Sequence, residues 1–306
     1  MSDPSLFTNQ DQWLIRTEHD ALERPGTPVD EEDEVQLWHL YDPTTPLHYI
    51  VGRVKNFTYD IATTNSSPFL HRYLYRDHTP ACILSCFSTS VLYANRTPAT
   101  TGMVMRSIDR GVKDLLATGA GGATMPMEKL AKTQALFLFQ IIRLLDGDVT
   151  LRAQGERDIQ LLEMWLSDLC RVRENLGDLG TGTGNGDRDS VGRKQHPPQW
   201  ETWIFAESVR RTIVMAHSFL QLYEMMKGSG SGPSSPEDDT SDRGVWDYNH
   251  RWSLSRHLWK ANSSFEFTRA WKEKPHFVIT NYALDHFLQV GRGEDVDDFA
   301  EILLSV

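Results

Sequence analysis

The sequence predicts an all-α fold: a large multi-helix domain carrying two flexible Gly-, Ser- and Asp-rich insertions. Three observations predict it. Thr-Pro pairs recur at Thr45-Pro46, Thr79-Pro80 and Thr97-Pro98, each ahead of apolar residues at helical spacing. Two later segments are apolar around the whole helix circumference, as core helices are. Only His276–Thr280 looks strand-like, and one short run cannot make a sheet.

The elements follow in order. Residues 1–34 lack periodicity and end in the acidic run Asp30–Glu34, which reads as a mobile arm ahead of a helical domain over 35–306. In each Thr-Pro pair the threonine caps and the proline takes the first helical position, where no backbone N–H is needed. Behind the first pair come Ile50, Val54, Phe57 and Ile61. Behind the second come Ile83, Phe87 and Val91, and behind the third Met105, Ile108, Val112 and Leu115. A core helix is expected over about Met127–Leu145, stopped by Asp146-Gly147. Ile159, Leu162, Leu166 and Leu169 mark another, ending near Asn175. The longest is expected over about Gln199–Lys227. Residues 177–198 and 228–244 hold too few apolar side chains to offset the entropy of ordering, so both read as flexible insertions. Helical segments around Ser253–Lys260, Ser263–Lys274 and Asp295–Leu304 complete the chain.

At 306 residues the chain is long enough for a sizeable core, with 40% apolar and 24% charged residues in ordinary globular proportion. Its net charge of −11 suits it poorly to bind nucleic acid unaided, because phosphate affinity comes from clustered Lys and Arg. Arg193-Lys194 and Arg210-Arg211 are the only basic doublets. The three cysteines, Cys82, Cys86 and Cys170, are an odd count with no secretory leader ahead of them. Free thiols in a reducing compartment are expected, and secretion is not. No membrane span is expected either: Ala135–Leu145 is too short and contains Arg143.

Candidate chemistry is sparse. The run Gly180-Thr-Gly-Thr-Gly-Asn-Gly186 lacks the final glycine of a dinucleotide fingerprint and follows a helix rather than a strand. Cys82 and Cys86 share a helix face but have no second ligand pair, and core packing is the commoner fate of such thiols. The histidines, His257 among them, show no ligand spacing, and the Gly-Ser-Gly-Ser-Gly run at 228–232 lies in an insertion. No catalytic residue, cofactor or metal is expected, and the chain does not read as an enzyme. The most distinctive polar set is Glu207, Arg210 and Arg211, at three- and four-residue spacing in the most apolar helix, with Trp203 one turn before. Buried charges need partners, so the set is either a structural network or the polar anchor of an aromatic-lined ligand pocket.

Several blocks carry a family resemblance. They are Ser67-Pro-Phe-Leu-His-Arg-Tyr-Leu-Tyr75; Leu92-Tyr-Ala-Asn-Arg-Thr-Pro98; Trp200-Glu-Thr-Trp-Ile-Phe-Ala-Glu-Ser-Val-Arg-Arg-Thr212; Leu254-Ser-Arg-His-Leu-Trp-Lys-Ala261; and Asp295-Val-Asp-Asp-Phe-Ala300. In this order they resemble the helical regulatory region of fungal zinc-cluster transcription factors, including regulators of secondary-metabolite genes. Such factors carry a basic cluster of six closely spaced cysteines, which these residues do not contain, so zinc and DNA binding transfer to no residue here. The resemblance implies a nuclear, or cytoplasmic and nuclear, regulatory module controlling gene expression through protein contacts or metabolite sensing. Expected partners are transcription machinery or a DNA-bound regulator; a homodimer and a small-molecule effector are both compatible. Two rivals stand beside this: a small-molecule-binding protein with a pocket near Trp203, Glu207 and Arg211, and a cofactor-free helical enzyme acting on an apolar metabolite.

Overall fold

Helix α1 (Pro46–Thr64) is the first α-helix among the residues that the computed structural model describes, which are 40–119, 125–176, 197–227 and 250–305. The expected arm at 1–34, and nearly all of the expected insertions at 177–198 and 228–244, lie outside the described residues. Thr45 caps α1 through its side chain, which accepts from the His48 amide, and Pro46 takes the first helical position as expected. Then come α2 (Ala81–Ala94), α3 (Thr101–Gly119), α4 (Pro126–Leu145), α5 (Val149–Arg157), α6 (Ile159–Asn175) and α7 (Trp200–Met226). The C-terminal part holds β1 (Arg251–Leu254), α8 (Arg256–Trp259), α9 (Ser264–Glu273) and β2 (Phe277–Thr280). It closes with α10 (Asp285–Val290), a 3₁₀ turn at Gly293–Asp295 and α11 (Asp298–Leu304). The described residues are thus predominantly helical, as the periodicity predicts.

Helix α4 is the hub. It packs against α1, α2, α3, α5, α6 and α7, and every residue from Thr133 to Leu145 is buried. That environment explains a segment apolar on all sides, since no face is left for water. Several of its buried polar groups bond to other parts of the fold. The Gln134 side chain donates to the Phe69 carbonyl and to Thr212 Oγ1, while Tyr75 donates to its oxygen at 2.7 Å. Arg143 pairs with Asp158 at 2.7 Å and donates to Gln140. Helix α7 is buried along most of its length and links this bundle to β1 and α9.

Three expectations differ from the structure. Pro80 is the cap of α2 rather than its first residue, and Thr79 instead donates its hydroxyl to the Tyr75 carbonyl. Thr97-Pro98 precedes α3 by a turn: the Thr97 amide donates to Thr100 Oγ1 at 2.9 Å, and the helix starts at Thr101. Ser253 is not helical but lies in β1, which pairs antiparallel with β2 in the register Ser253↔Val278. The strand-like run at His276–Thr280 therefore does find a partner.

Candidate functional site

The polar set on α7 is assembled first by helical spacing. Arg211 Nε lies 3.0 Å from Glu207 Oε1, and Arg210 Nη1 lies 3.4 Å from Glu207 Oε2. One turn of helix brings these groups onto one side, acid before base. Three other parts of the chain then converge on them. Arg211 Nη1 donates to the Pro68 carbonyl at 3.3 Å and lies 2.7 Å from Asp297 Oδ2. Arg211 Nη2 donates to the Ser253 carbonyl at 3.0 Å.

Ser253 is held at both backbone groups, because its amide also donates to Glu207 Oε1 at 2.9 Å. In an antiparallel pair, a residue's N–H and C=O point to the same side. Those of Ser253 point away from Val278 and toward α7, so Glu207 and Arg211 together take the place of a third strand beside β1. This supplies hydrogen bonds that a two-stranded ribbon otherwise lacks on its inner edge.

Glu207, Arg210, Arg211 and Asp297 are between 0% and 4% exposed. Two acids face two guanidiniums, so the formal charges cancel, which is what burial of ions requires. The Arg211 guanidinium also stacks 4.0 Å from the Trp259 ring centre and 4.8 Å from that of Phe299. A flat, weakly hydrated cation suits such a sandwich better than an ammonium would. Asp297 works at both oxygens: Oδ1 accepts from the Ala300 amide at 2.9 Å and caps α11, while Oδ2 meets Arg211.

Aromatic side chains pack against one another beside this network. Trp203 packs edge-on to Trp259 and lies 5.0 Å, centre to centre, from Phe267. Its indole N–H finds no acceptor among the described residues. His71 packs edge-on against Trp259 at 4.9 Å and bonds the Trp259 carbonyl through Nε2 at 2.9 Å. The Tyr73 amide donates to His71 Nδ1, so Nδ1 accepts and Nε2 carries the proton of a neutral ring. Burial holds the His71 pKa down to about 4, and the nearby Arg211 and Arg72 charges add to it, while the Trp259 carbonyl opposes it.

The structure thus brings Glu207, Arg210 and Arg211 into direct contact and joins Trp203 to them through Trp259. Asp297, Ser253, Pro68 and Trp259 are partners that helical spacing does not reveal. A ligand reaching Arg211 would have to displace Asp297 or backbone carbonyls already bonded to it. A shallow depression does occur on the exposed face of α3, lined by Met103, Arg106, Asp109, Arg110 and Lys113, and it includes none of the network's residues. No described helix is long and apolar enough to cross a membrane.

No protein-family model matches the chain, and no solved structure matches it. The chain is similar to transcription factor gsfR2 of Penicillium aethiopicum, with 26% identity over 238 residues, or 77% of this chain. The aligned part is 53% of that relative, so the chain spans about half the length of the curated protein it matches.

Proposed function

We propose that the chain is a transcription-regulatory module that controls gene expression, in the nucleus, through contacts with other proteins. The observation that carries this is the similarity to a named transcription factor across three quarters of the chain. Its extension to secondary-metabolite gene clusters rests on the resemblance of the sequence blocks quoted above. The acidic balance supports a division of labour in which DNA is read by another segment or by a bound partner. The buried Glu207–Arg211–Asp297 network supports a structural task for the most distinctive residues, because their polar atoms are directed at the fold itself. That favours a regulatory scaffold over the metabolite pocket and the cofactor-free enzyme.

The test is to tether the full chain to a heterologous DNA-binding domain upstream of a reporter, and in parallel to delete its gene and profile transcripts. The expected result is a several-fold change in the reporter and coordinated changes in a set of linked genes. A folded tethered chain that leaves the reporter unchanged, together with an unchanged transcript profile, overturns the proposal.

A further inference from the structure

Near the C-terminus, three potential ligand groups from two separate elements meet. His257 lies on α8, and Glu294 and Asp295 lie in the 3₁₀ turn that leads to α11. One atom from each lies within 4.8 Å of the other two. Asp295 is fully buried, and its Oδ2 accepts from the Arg292 amide at 3.1 Å. Its Oδ1 faces His257 Nε2 at 3.6 Å. Both of these atoms are shielded from water, and neither has a hydrogen-bond partner among the described residues.

That separation is informative. A hydrogen bond between an imidazole and a carboxylate closes to about 2.7–3.2 Å. Bonds of about 2.0–2.2 Å to a tetrahedral zinc set neighbouring ligand atoms about 3.3–3.6 Å apart. The two orphaned atoms therefore stand at the spacing a shared cation would impose, with a second carboxylate within reach. We propose that His257, Glu294 and Asp295 form a binding site for a zinc-type divalent cation, with a fourth position left for water or a partner's side chain. Imidazole with two carboxylates is a donor set that such ions accept.

The surroundings fit a tether of moderate affinity. Glu294 is largely exposed, and Arg292 Nη1 lies 3.9 Å from its Oε1, so that guanidinium competes with a cation for the carboxylate. Two residues beyond Asp295, Asp297 caps α11 and meets Arg211. A bound ion would thus fasten α8 to the turn that positions one end of the buried network. This site is independent of the proposed regulatory role, and its test does not involve transcription.

The experiment uses the full chain, stripped with a chelator and dialysed, then titrated with zinc chloride by calorimetry with thermal unfolding followed alongside. One equivalent bound per chain and a rise in Tm are expected, since an ion selective for the folded state stabilises it. Magnesium should give neither effect, because it favours octahedral, all-oxygen surroundings. Glu294→Gln alters an exposed side chain and should retain the native helical circular dichroism while weakening zinc affinity at least about tenfold, since even groups that only orient ligands matter by about 10–100-fold. His257→Ala should weaken it further. A chain that takes up no zinc leaves only a His257–Asp295 contact and overturns the proposal. So does zinc affinity unchanged in both variants, which would place the ion elsewhere, such as on the thiols.

Discussion

Arg211 and Asp297 meet at 2.7 Å with both side chains withdrawn from water, one on the longest helix and the other at the cap of the last. Removing one partner of such a pair strands the other charge in the interior, which costs about 3–5 kcal/mol. Arg211→Ala is expected to lower the unfolding free energy by that order, read as a shift in the urea midpoint. Asp297→Ala should cost a similar amount. Asp297→Asn keeps an oxygen to cap α11 and should recover about 1 kcal/mol of that loss. An exposed pair such as Arg110–Asp114 is the control, and Arg110→Ala should change stability by less than about 0.5 kcal/mol. An Arg211→Ala midpoint as mild as the control's would remove the structural role assigned to the network.

Two buried histidines make stability depend on pH. Burial lowers the His71 and His217 pKa values to about 4, with His250 and Arg173 adding to the effect at His217. The unfolded chain takes up these protons near pH 6.5, whereas the folded chain resists them until about pH 4. Stability is therefore fully present above about pH 6.5 and falls as pH drops toward 4. The slope is roughly 1.4 kcal/mol per pH unit for each histidine. Denaturant midpoints at about pH 7, 6 and 5 should fall in that order, before most carboxylates titrate. His71→Gln should flatten the slope by about half. A midpoint constant over this range would mean that the rings are protonated inside the fold.

The cysteines should be quiet in the native state. Burial pushes the Cys86 thiol up to about 12 and the Cys170 thiol up to about 11, and it also raises the partly exposed Cys82. Near neutral pH, a pKa raised by three units leaves about a thousandfold less thiolate, the species that reacts. With a chromogenic disulfide reagent, Cys82 should react first and slowly, and Cys86 and Cys170 only on the timescale of unfolding. Three thiols reacting at once in the folded protein would contradict the packing around α2 and α6.

The core helices were legible because their periodicity is their environment. A segment apolar on every side, such as α4, has to sit at the centre, and it does. The Glu207–Arg211 contact was legible for the same reason, since helical geometry alone brings the fourth residue back over the first. Asp297 was not. Its capping role is local, but the use of its second oxygen depends on where α11 lies against α7. Strand β1 was lost because Leu254 and Leu258 stand four apart, which continues the period of α8 backwards across a strand too short to show its own alternation. His257 likewise carries no spacing signal, because Glu294 and Asp295 reach it from a turn far along the chain.

Two glycines in helices should respond to alanine with opposite signs. At Gly52, in α1, an added Cβ meets nothing within 4 Å. Gly52→Ala removes backbone freedom from the unfolded chain without a clash and should stabilise by about 0.5–1 kcal/mol. At Gly155, in α5, the same atom would lie 2.8 Å from Leu144 Cδ2, 3.0 Å from Gln140 Oε1 and 3.3 Å from Arg143 Cβ. Gln140 cannot retreat freely, because it donates to the Gly155 carbonyl at 2.9 Å and accepts from Arg143 at 2.9 Å. Overpacking of this kind costs about 1–3 kcal/mol, more than the gain in helix propensity returns. Thermal unfolding should therefore show Tm rising in Gly52→Ala and falling in Gly155→Ala. If Gly155→Ala also gained stability, α5 would have room to move off α4, and the bonds among Gly155, Gln140 and Arg143 would not be what sets their close approach.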